Sequence, residues 1–154
     1  MLRSLTITLK IANALTMAAL LLAVLLVIID AKLGLNATWA SELSQFLLGW
    51  LVMLGGAFAY LHHAHLGLDI LVNTFDPPTK RASLLTGHVV ILLFALLVLI
   101  YGGGKITFER YDMGQVLPAM GISKAWAYLA LPVSGVFVSL TAVSHLLQKP
   151  STTP

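Results

Sequence analysis

The sequence has no cysteine and very little charge: only 10% of its 154 residues are Asp, Glu, Lys or Arg, while 58% are hydrophobic. Without cysteine, disulfides, thiolate metal sites and cysteine nucleophiles are excluded. Soluble domains carry about 25% charged residues, and a soluble fold of this length needs more polar surface than this chain can supply. The composition therefore indicates an integral membrane protein. The net charge of +3 gives no reason to expect nucleic acid as a partner.

Charged residues are also absent from the middle of four long apolar stretches, which we predict to span a membrane. Each stretch reaches the length of about 20 residues that a helix needs to cross a bilayer, and "LTMAALLLAVLLVII" lacks the alternation of a barrel strand. The predicted fold class is an all-α integral membrane protein with four transmembrane helices in a single domain, 1–154. The predicted spans are 11–33, 40–65, 82–104 and 125–147.

The distribution of basic residues predicts the orientation of these spans. With four spans, both termini and the middle loop share one side of the membrane. That side carries Arg3, Lys10, Lys80, Arg81 and Lys149, and the other side carries Lys32, Lys105, Arg110 and Lys124. Because Lys and Arg are enriched in cytoplasmic loops, the small excess favours cytoplasmic termini. We therefore expect both termini to be cytoplasmic.

A charged group inside the bilayer, which a proton or ion pathway needs, is missing from the sequence. No Asp, Glu, Lys or Arg interrupts the core of a predicted span, and Asp30 and Glu42 lie at span edges. Small four-helix drug exporters need a carboxylate inside their first helix, where this chain is apolar. We therefore predict no catalytic residue, and no coupled transport path formed by this chain alone.

In this topology all five histidines lie towards one face of the membrane, at His62, His63, His65, His88 and His145. A haem held between facing helices, as in small membrane anchors of respiratory enzymes, could use His88 with His62 or His63. Alternatively, histidines suit a headgroup boundary because the ring has an apolar body and a polar tip. A zinc site is disfavoured, because "HHAH" directs its three rings to different sides of a helix.

Small residues in the spans indicate helix packing. Gly55 with Ala59, and Gly135 with Ser139, lie four residues apart, a spacing that lets helix backbones approach closely. Trp50 near the middle of the bilayer is better explained by contact with protein than with lipid. The spans therefore offer packing surface and no reactive group.

Proline and glycine mark the expected ends and bends of helices. Pro132 is expected to bend the fourth span, and Pro77-Pro78 to stop a helix. The run Gly102-Gly103-Gly104 is expected to break the third span, with "KITFERYDMGQVLPAMGISK" following as an ordered segment. This segment suits contact with another protein, although a solvated loop explains its mixed charges equally well.

The stretch "WASELSQFLLGWLVMLGGAFAYLHHAHLGLDIL" closely resembles the second-helix signature of a known family. The family is the DctQ-type small membrane subunit of tripartite ATP-independent periplasmic (TRAP) transporters. The matching positions are Trp39, Glu42, Trp50, Leu54-Gly55, His65 and Asp69. The family often has a basic residue shortly before this His, where this chain has His62-His63, so the resemblance assigns no fixed charge there.

A second block, "LPAMGISKAWAYLALPVSG", is similar to the family's entry into its fourth helix. The matching positions are Gly121-Ile122, Trp126, Tyr128 and Leu131-Pro132. The two blocks occur in the family's order, and the four-helix layout and length also match. The resemblance therefore covers nearly the whole chain.

The resemblance implies a scaffold subunit of the bacterial inner membrane rather than an enzyme. Such a subunit braces a large membrane subunit and widens the platform on which a periplasmic substrate-binding protein docks. The large subunit would move an organic anion (a dicarboxylate, sialic acid or sulfonate) driven by sodium, so no cofactor or metal is expected in this chain. Phospholipid is a further expected contact. The alternative function is a haem-carrying or structural membrane-anchor subunit of a respiratory enzyme.

The predicted site residues fall into two groups. The residues predicted at the subunit interface or in lipid contact are Trp39, Glu42, Trp50, Gly55, Gly56, His65, Asp69 and Trp126. The residues predicted to contact the binding protein are Glu109, Arg110 and Asp112. His65 and Asp69, one helical turn apart, can pair with each other or with the partner. Glu42 is expected in the first turn of the second helix, facing the positive helix end, with a further role at the large subunit or a lipid headgroup.

Overall fold

The computed structural model describes residues 2–34, 36–62 and 77–147. Helical elements account for nearly all of these residues. In chain order they are α1 (Leu2–Leu33), α2 (Thr38–Leu61), α3 (Pro77–Phe94), a π-helical segment (Ala95–Gly102), α4 (Gly103–Asp112), α5 (Ala125–Tyr128) and α6 (Ala130–Leu147). Over the described ranges there is no β-strand, only an isolated antiparallel bridge between Val116 and Ser123. The predicted all-α class is confirmed.

Four helical stretches are long and apolar enough to cross a membrane, as predicted. They are Leu5–Leu33, Thr38–Leu61, Leu85–Asp112 and Ala125–Leu147. The third stretch joins α3, the π-helical segment and α4, and the fourth joins α5 and α6. The chain is therefore a multi-pass membrane protein.

The third span runs through positions where glycine was expected to break it. Helix α3 begins at Pro77, because proline at the first helical position lacks only an N–H that would be unpaired anyway. The residues before it, where Pro77-Pro78 was expected to stop a helix, lie outside the described ranges. The helix also continues through Gly102-Gly103-Gly104 to Asp112. A Cβ on Gly103 would lie 2.7 Å from Leu131 Cβ, so this glycine allows close packing and does not end the helix.

The fourth span is interrupted close to Pro132, as expected for proline inside a helix. Helix α5 ends at Tyr128, Leu129 forms a turn, and α6 resumes at Ala130. Gly135 on α6 then faces the π-helical segment, where an added Cβ would lie 2.7 Å from Leu99 Cβ. Glycine thus brings the two spans into close contact at two levels.

Helix α6 lies at the centre of the described structure. It contacts α1, α2, α3, the π-helical segment and α4, whereas the backbones of α3 and the π-helical segment do not approach α1 or α2. The buried core lies towards the end of the helices where His88 is found. It consists of Leu5, Leu9, Leu54, Ala57, Tyr60, Leu61, Ala95, Val138 and Ala142. We call this the His88 end and the opposite one the Glu42 end.

Candidate functional site

Glu42 lies in the second turn of α2, not in the first turn where it was expected. The helix begins at Thr38, and Ala37 before it makes no side-chain capping bond. The hydroxyl of Ser44 donates to Ala40 O at 2.8 Å, one turn back along α2, and so does not cap the helix. Because Glu42 sits one turn inside the helix, its carboxylate is free to reach another part of the chain.

The carboxylate of Glu42 binds the backbone between α4 and α5. Its Oε2 atom accepts hydrogen bonds from the N–H groups of Ala119 and Met120, each at 3.0 Å. Hydrogen bonds with one ionised partner are about twice as strong as neutral ones. Two consecutive N–H groups on one oxygen therefore attach this connection firmly to α2.

The connection is a short hairpin formed by residues 115–124, which we call the hairpin. Lys124 N donates to Gln115 O at 2.9 Å, and Leu117 N donates to Ile122 O at 2.8 Å. At the tip, Gly121 has a φ of +66°, a left-handed conformation that glycine adopts without the steric cost of a Cβ. The tip that carries Ala119 and Met120 is thus held in a defined shape.

Two turns further along α2, Trp50 makes a second bond to the same region. Its indole N–H donates to the carbonyl oxygen of Trp126 in α5 at 3.2 Å, and its ring lies 6.4 Å from that of Phe46. The mid-span tryptophan therefore uses its polar group inside the chain. Glu42 and Trp50 together join α2 to the hairpin and to α5.

The tryptophans nearest the Glu42 end leave much of their surface uncovered. Trp39 is 44% exposed and Trp126 is 56% exposed. Indole rings favour a membrane–water interface, where one side is apolar and the other polar. Both rings are available to lipid or to another protein at the Glu42 end.

The charged residues of α4 lie beside the hairpin. Arg110 donates to Gln115 Oε1 at 3.1 Å and stacks on the Tyr128 ring, 5.7 Å from its centroid. Glu109 is 3.9 Å from Lys105 on the same helix, and Asp112 is exposed as the last residue of α4. Arg110 is therefore engaged within the chain, whereas Glu109 and Asp112 present their carboxylates outward.

The remaining predicted site residues lie nearer the His88 end or outside the described ranges. A Cβ on Gly55 would lie 3.5 Å from Asn13 Oδ1, so Gly55 faces α1, whereas a Cβ on Gly56 would meet nothing within 4 Å. Gly56 is thus open on the surface of α2. His65 and Asp69 lie outside the described residues.

At the His88 end, three aromatic side chains from three helices meet. Tyr60 OH and His88 Nδ1 are 2.9 Å apart, and the His88 and His145 ring centroids are 5.1 Å apart. His62 packs its ring on Phe58 instead, at 4.5 Å. Within 2–34, 36–62 and 77–147, no three His, Asp or Glu side chains converge as metal ligands would. Of the histidines considered as haem ligands, His88 and His62 thus have contacts within the chain, and His63 lies outside the described residues.

A comparison with protein families identifies the chain. The family model for tripartite ATP-independent periplasmic transporters, DctQ component, matches residues 19–150. The chain belongs to the DctQ family. The resemblance of the two sequence blocks is confirmed, and because the family consists of transporter components, this DctQ chain is not an enzyme.

Individual relatives carry the same description. The chain is 29% identical over 100 residues to a C4-dicarboxylate TRAP transporter small permease protein of Rhodobacter capsulatus, covering 65% of this chain and 44% of that protein. It is 33% identical over 127 residues to a sialic acid TRAP transporter small permease protein of Vibrio cholerae, covering 78% and 69%. This DctQ chain therefore matches less than half the length of the first of these relatives.

A third relative is a much longer protein. The sialic acid TRAP transporter permease protein of Haemophilus influenzae is 31% identical over 101 residues, which make up 65% of this DctQ chain and 16% of that protein. In that relative, a region similar to this chain is one part of a larger permease.

The partners of Glu42 and Trp50 were not predicted from the sequence of this DctQ chain. They are the N–H groups of Ala119 and Met120 and the carbonyl of Trp126, which are backbone atoms. Every residue type has such groups, so no sequence pattern marks them. One residue in the sequence could have indicated a turn near these partners. It is Gly121, which the resemblance singled out and which shapes the tip of the hairpin.

Proposed function

We propose that this chain is the small membrane subunit of a TRAP transporter in a bacterial inner membrane. It would brace a large membrane subunit that carries the substrate. The family match over residues 19–150 supports this role. So does the longer Haemophilus influenzae permease, of which a region like this chain forms 16%, because a unit built into a larger permease works beside the rest of it.

The observation that carries the proposal is the contact between the two signature blocks at the Glu42 end. Glu42 and Trp50, from the first block, bind backbone atoms of the second. The signature residues thus fix the shape of this chain, while the middle of each span carries no charged residue. A preformed shape without intramembrane charge suits a scaffold better than a carrier.

We assign the Glu42 end to the periplasmic side and both termini to the cytoplasmic side. Glu109 and Asp112 would then lie on the side from which a periplasmic binding protein arrives, with Arg110 behind them. The exposed side chains of α1, such as Leu15 and Leu22, would face phospholipid or the large subunit. Exposed leucine at membrane depth needs one of these apolar neighbours.

The transported substrate would be an organic anion of the dicarboxylate, sialic acid or sulfonate class, with uptake driven by sodium. Sodium would bind to the large subunit, and this chain would hold no cofactor. Relatives named for C4-dicarboxylates and for sialic acid support the first two of these classes.

Reconstitution of the complete system tests the proposed function. The chain is co-expressed with a large TRAP permease subunit from the same genome, purified in detergent and placed in liposomes with the binding protein and a sodium gradient. We expect the two membrane chains to purify together and to take up one of the three anion classes. Trp39→Ala should weaken association or uptake, with Trp39→Phe as the control that keeps an aromatic ring. A single chain that transports alone would contradict the proposal.

A further inference from the structure

The hairpin is stiff in itself and is fixed at its base. Its two arms are joined by the bonds from Lys124 N to Gln115 O and from Leu117 N to Ile122 O. At the base, Arg110 donates to the side chain of Gln115 and stacks on Tyr128. The hairpin can therefore change its orientation only as a rigid unit, and only when the bonds between its tip and α2 are broken.

The tip depends on one carboxylate. Of the hydrogen bonds that the structure describes between the hairpin and α2, both end on Glu42 Oε2. Apolar burial in the hairpin is partial, because Leu117 and Met120 are half-buried while Val116 is 49% exposed and Ile122 is 39% exposed. Since hydrophobic burial is not directional, the two bonds to Glu42 are the contacts that fix the orientation of the tip.

We propose that Glu42 is a positioning residue, which fixes the hairpin in the orientation that meets a partner and touches no partner itself. The surface of the hairpin is apolar, because Val116 and Ile122 are exposed, and Met113 just before it is exposed as well. An ordered apolar surface at a helix end is typical of a protein contact site. The identity of the partner as the periplasmic binding protein rests on the proposed function, whereas the positioning of the hairpin does not.

Distance measurements between spin labels test the positioning directly. The sequence has no cysteine, so Gln45→Cys on α2 and Val116→Cys on the hairpin, both at exposed positions, give two unique labelling sites. We expect one narrow distance distribution in the otherwise unchanged protein. Glu42→Gln should broaden it, because a neutral amide oxygen accepts weaker bonds than a carboxylate. Glu42→Ala should broaden it further, and added acetate should narrow it again by supplying the missing carboxylate.

Asp30→Asn is the matched control. Asp30 also uses a carboxylate oxygen to hold backbone at the same end, accepting from Ala37 N at 2.9 Å, but it does not bind the hairpin. We expect this variant to keep the narrow distribution. An unchanged distribution in both Glu42→Gln and Glu42→Ala would overturn the proposal.

Uptake by the reconstituted transporter tests the link to the partner. Glu42→Gln should raise the concentration of binding protein needed for half-maximal uptake by roughly tenfold, the factor expected when about 1.4 kcal/mol is lost, and should leave purification with the large subunit intact. Glu42→Asp should recover part of this effect, and Asp30→Asn should behave as wild type. If Glu42→Gln broadens the label distances but leaves the concentration of binding protein needed for half-maximal uptake unchanged, the link to the partner is refuted. If the wild-type complex ignores the binding protein, the proposed function fails, while the label distances still decide the positioning.

Discussion

Trp50 in α2 donates its indole N–H to the backbone carbonyl of Trp126 in α5 at 3.2 Å. The two residues are 76 positions apart in the sequence, and both belong to the blocks that resemble the DctQ family. In a membrane, a polar group needs a partner within the protein, because lipid tails offer none. This bond therefore gives the mid-span tryptophan a structural reason to be present.

Trp50→Phe is expected to lower the thermal stability of the purified chain. The change removes the indole donor, leaves the Trp126 carbonyl with one bond fewer and should cost about 1 kcal/mol. The melting temperature in detergent, monitored by size-exclusion chromatography of heated samples, measures the effect. Trp39→Phe is the control, because it removes the same group from a more exposed ring that has no cross-helix bond in the described structure. Equal stability of the two variants would contradict the assigned role of the Trp50 bond.

Gly135→Ala is expected to destabilise the packing of α6 on the π-helical segment. The added Cβ would lie 2.7 Å from Leu99 Cβ and 2.9 Å from Ile100 Cγ1, so one of the helices has to shift. Overpacking of this kind costs about 1–3 kcal/mol. Gly49→Ala is the control, since a Cβ there would meet nothing within 4 Å and alanine favours helix. A melting temperature unchanged by Gly135→Ala would show that the close contact is absent.

Tyr60→Phe is expected to weaken the association of helices at the His88 end. It removes the hydroxyl that bonds to His88 Nδ1 while keeping the ring in the core, and should cost about 1 kcal/mol. Tyr101→Phe, at a site that is 71% exposed, removes a hydroxyl without disturbing the core. Thermal melting of both variants in the same detergent makes the comparison, and a loss of stability in Tyr101→Phe alone would contradict the prediction.

The purified chain is expected to show no haem absorbance in the Soret region. The family to which the chain belongs consists of transporter components, and His88, which both possible haem pairs would need, has its Nδ1 atom 2.9 Å from Tyr60 OH. Absorbance spectra of protein purified from cells supplied with haem precursors provide the measurement. A Soret band that disappears in His88→Ala would instead support the membrane-anchor alternative.

The sequence was sufficient for the four spans because apolar length is a local property of the chain. The third span shows the limit of such reasoning. Its three glycines were expected to break the helix, but the helix continues to Asp112. The close approach of Gly103 to Leu131 gives glycine a packing role that only the folded chain reveals.

Resemblance marked Glu42 and Trp50 as residues at the subunit interface or in lipid contact, and that stays a prediction. It did not mark the partners that both side chains have in the chain's own backbone. A helix begun at Thr38 also places Glu42 one turn deeper than expected. Contacts between residues far apart in sequence depend on how the helices cross. The pattern of residues along one helix does not predict that crossing.

The central place of α6 has a consequence for synthesis of the protein. Helices α1 and α2 contact each other and are joined by a short turn that Asp30 holds through Ala37 N, so they can pair as soon as both have entered the membrane. Over the described residues the third span meets α2 through side chains, such as Tyr60 with His88, whereas its backbone approaches only the fourth span. Its closest packing can therefore form only when α6, the last of the described helices to leave the ribosome, arrives to complete the assembly.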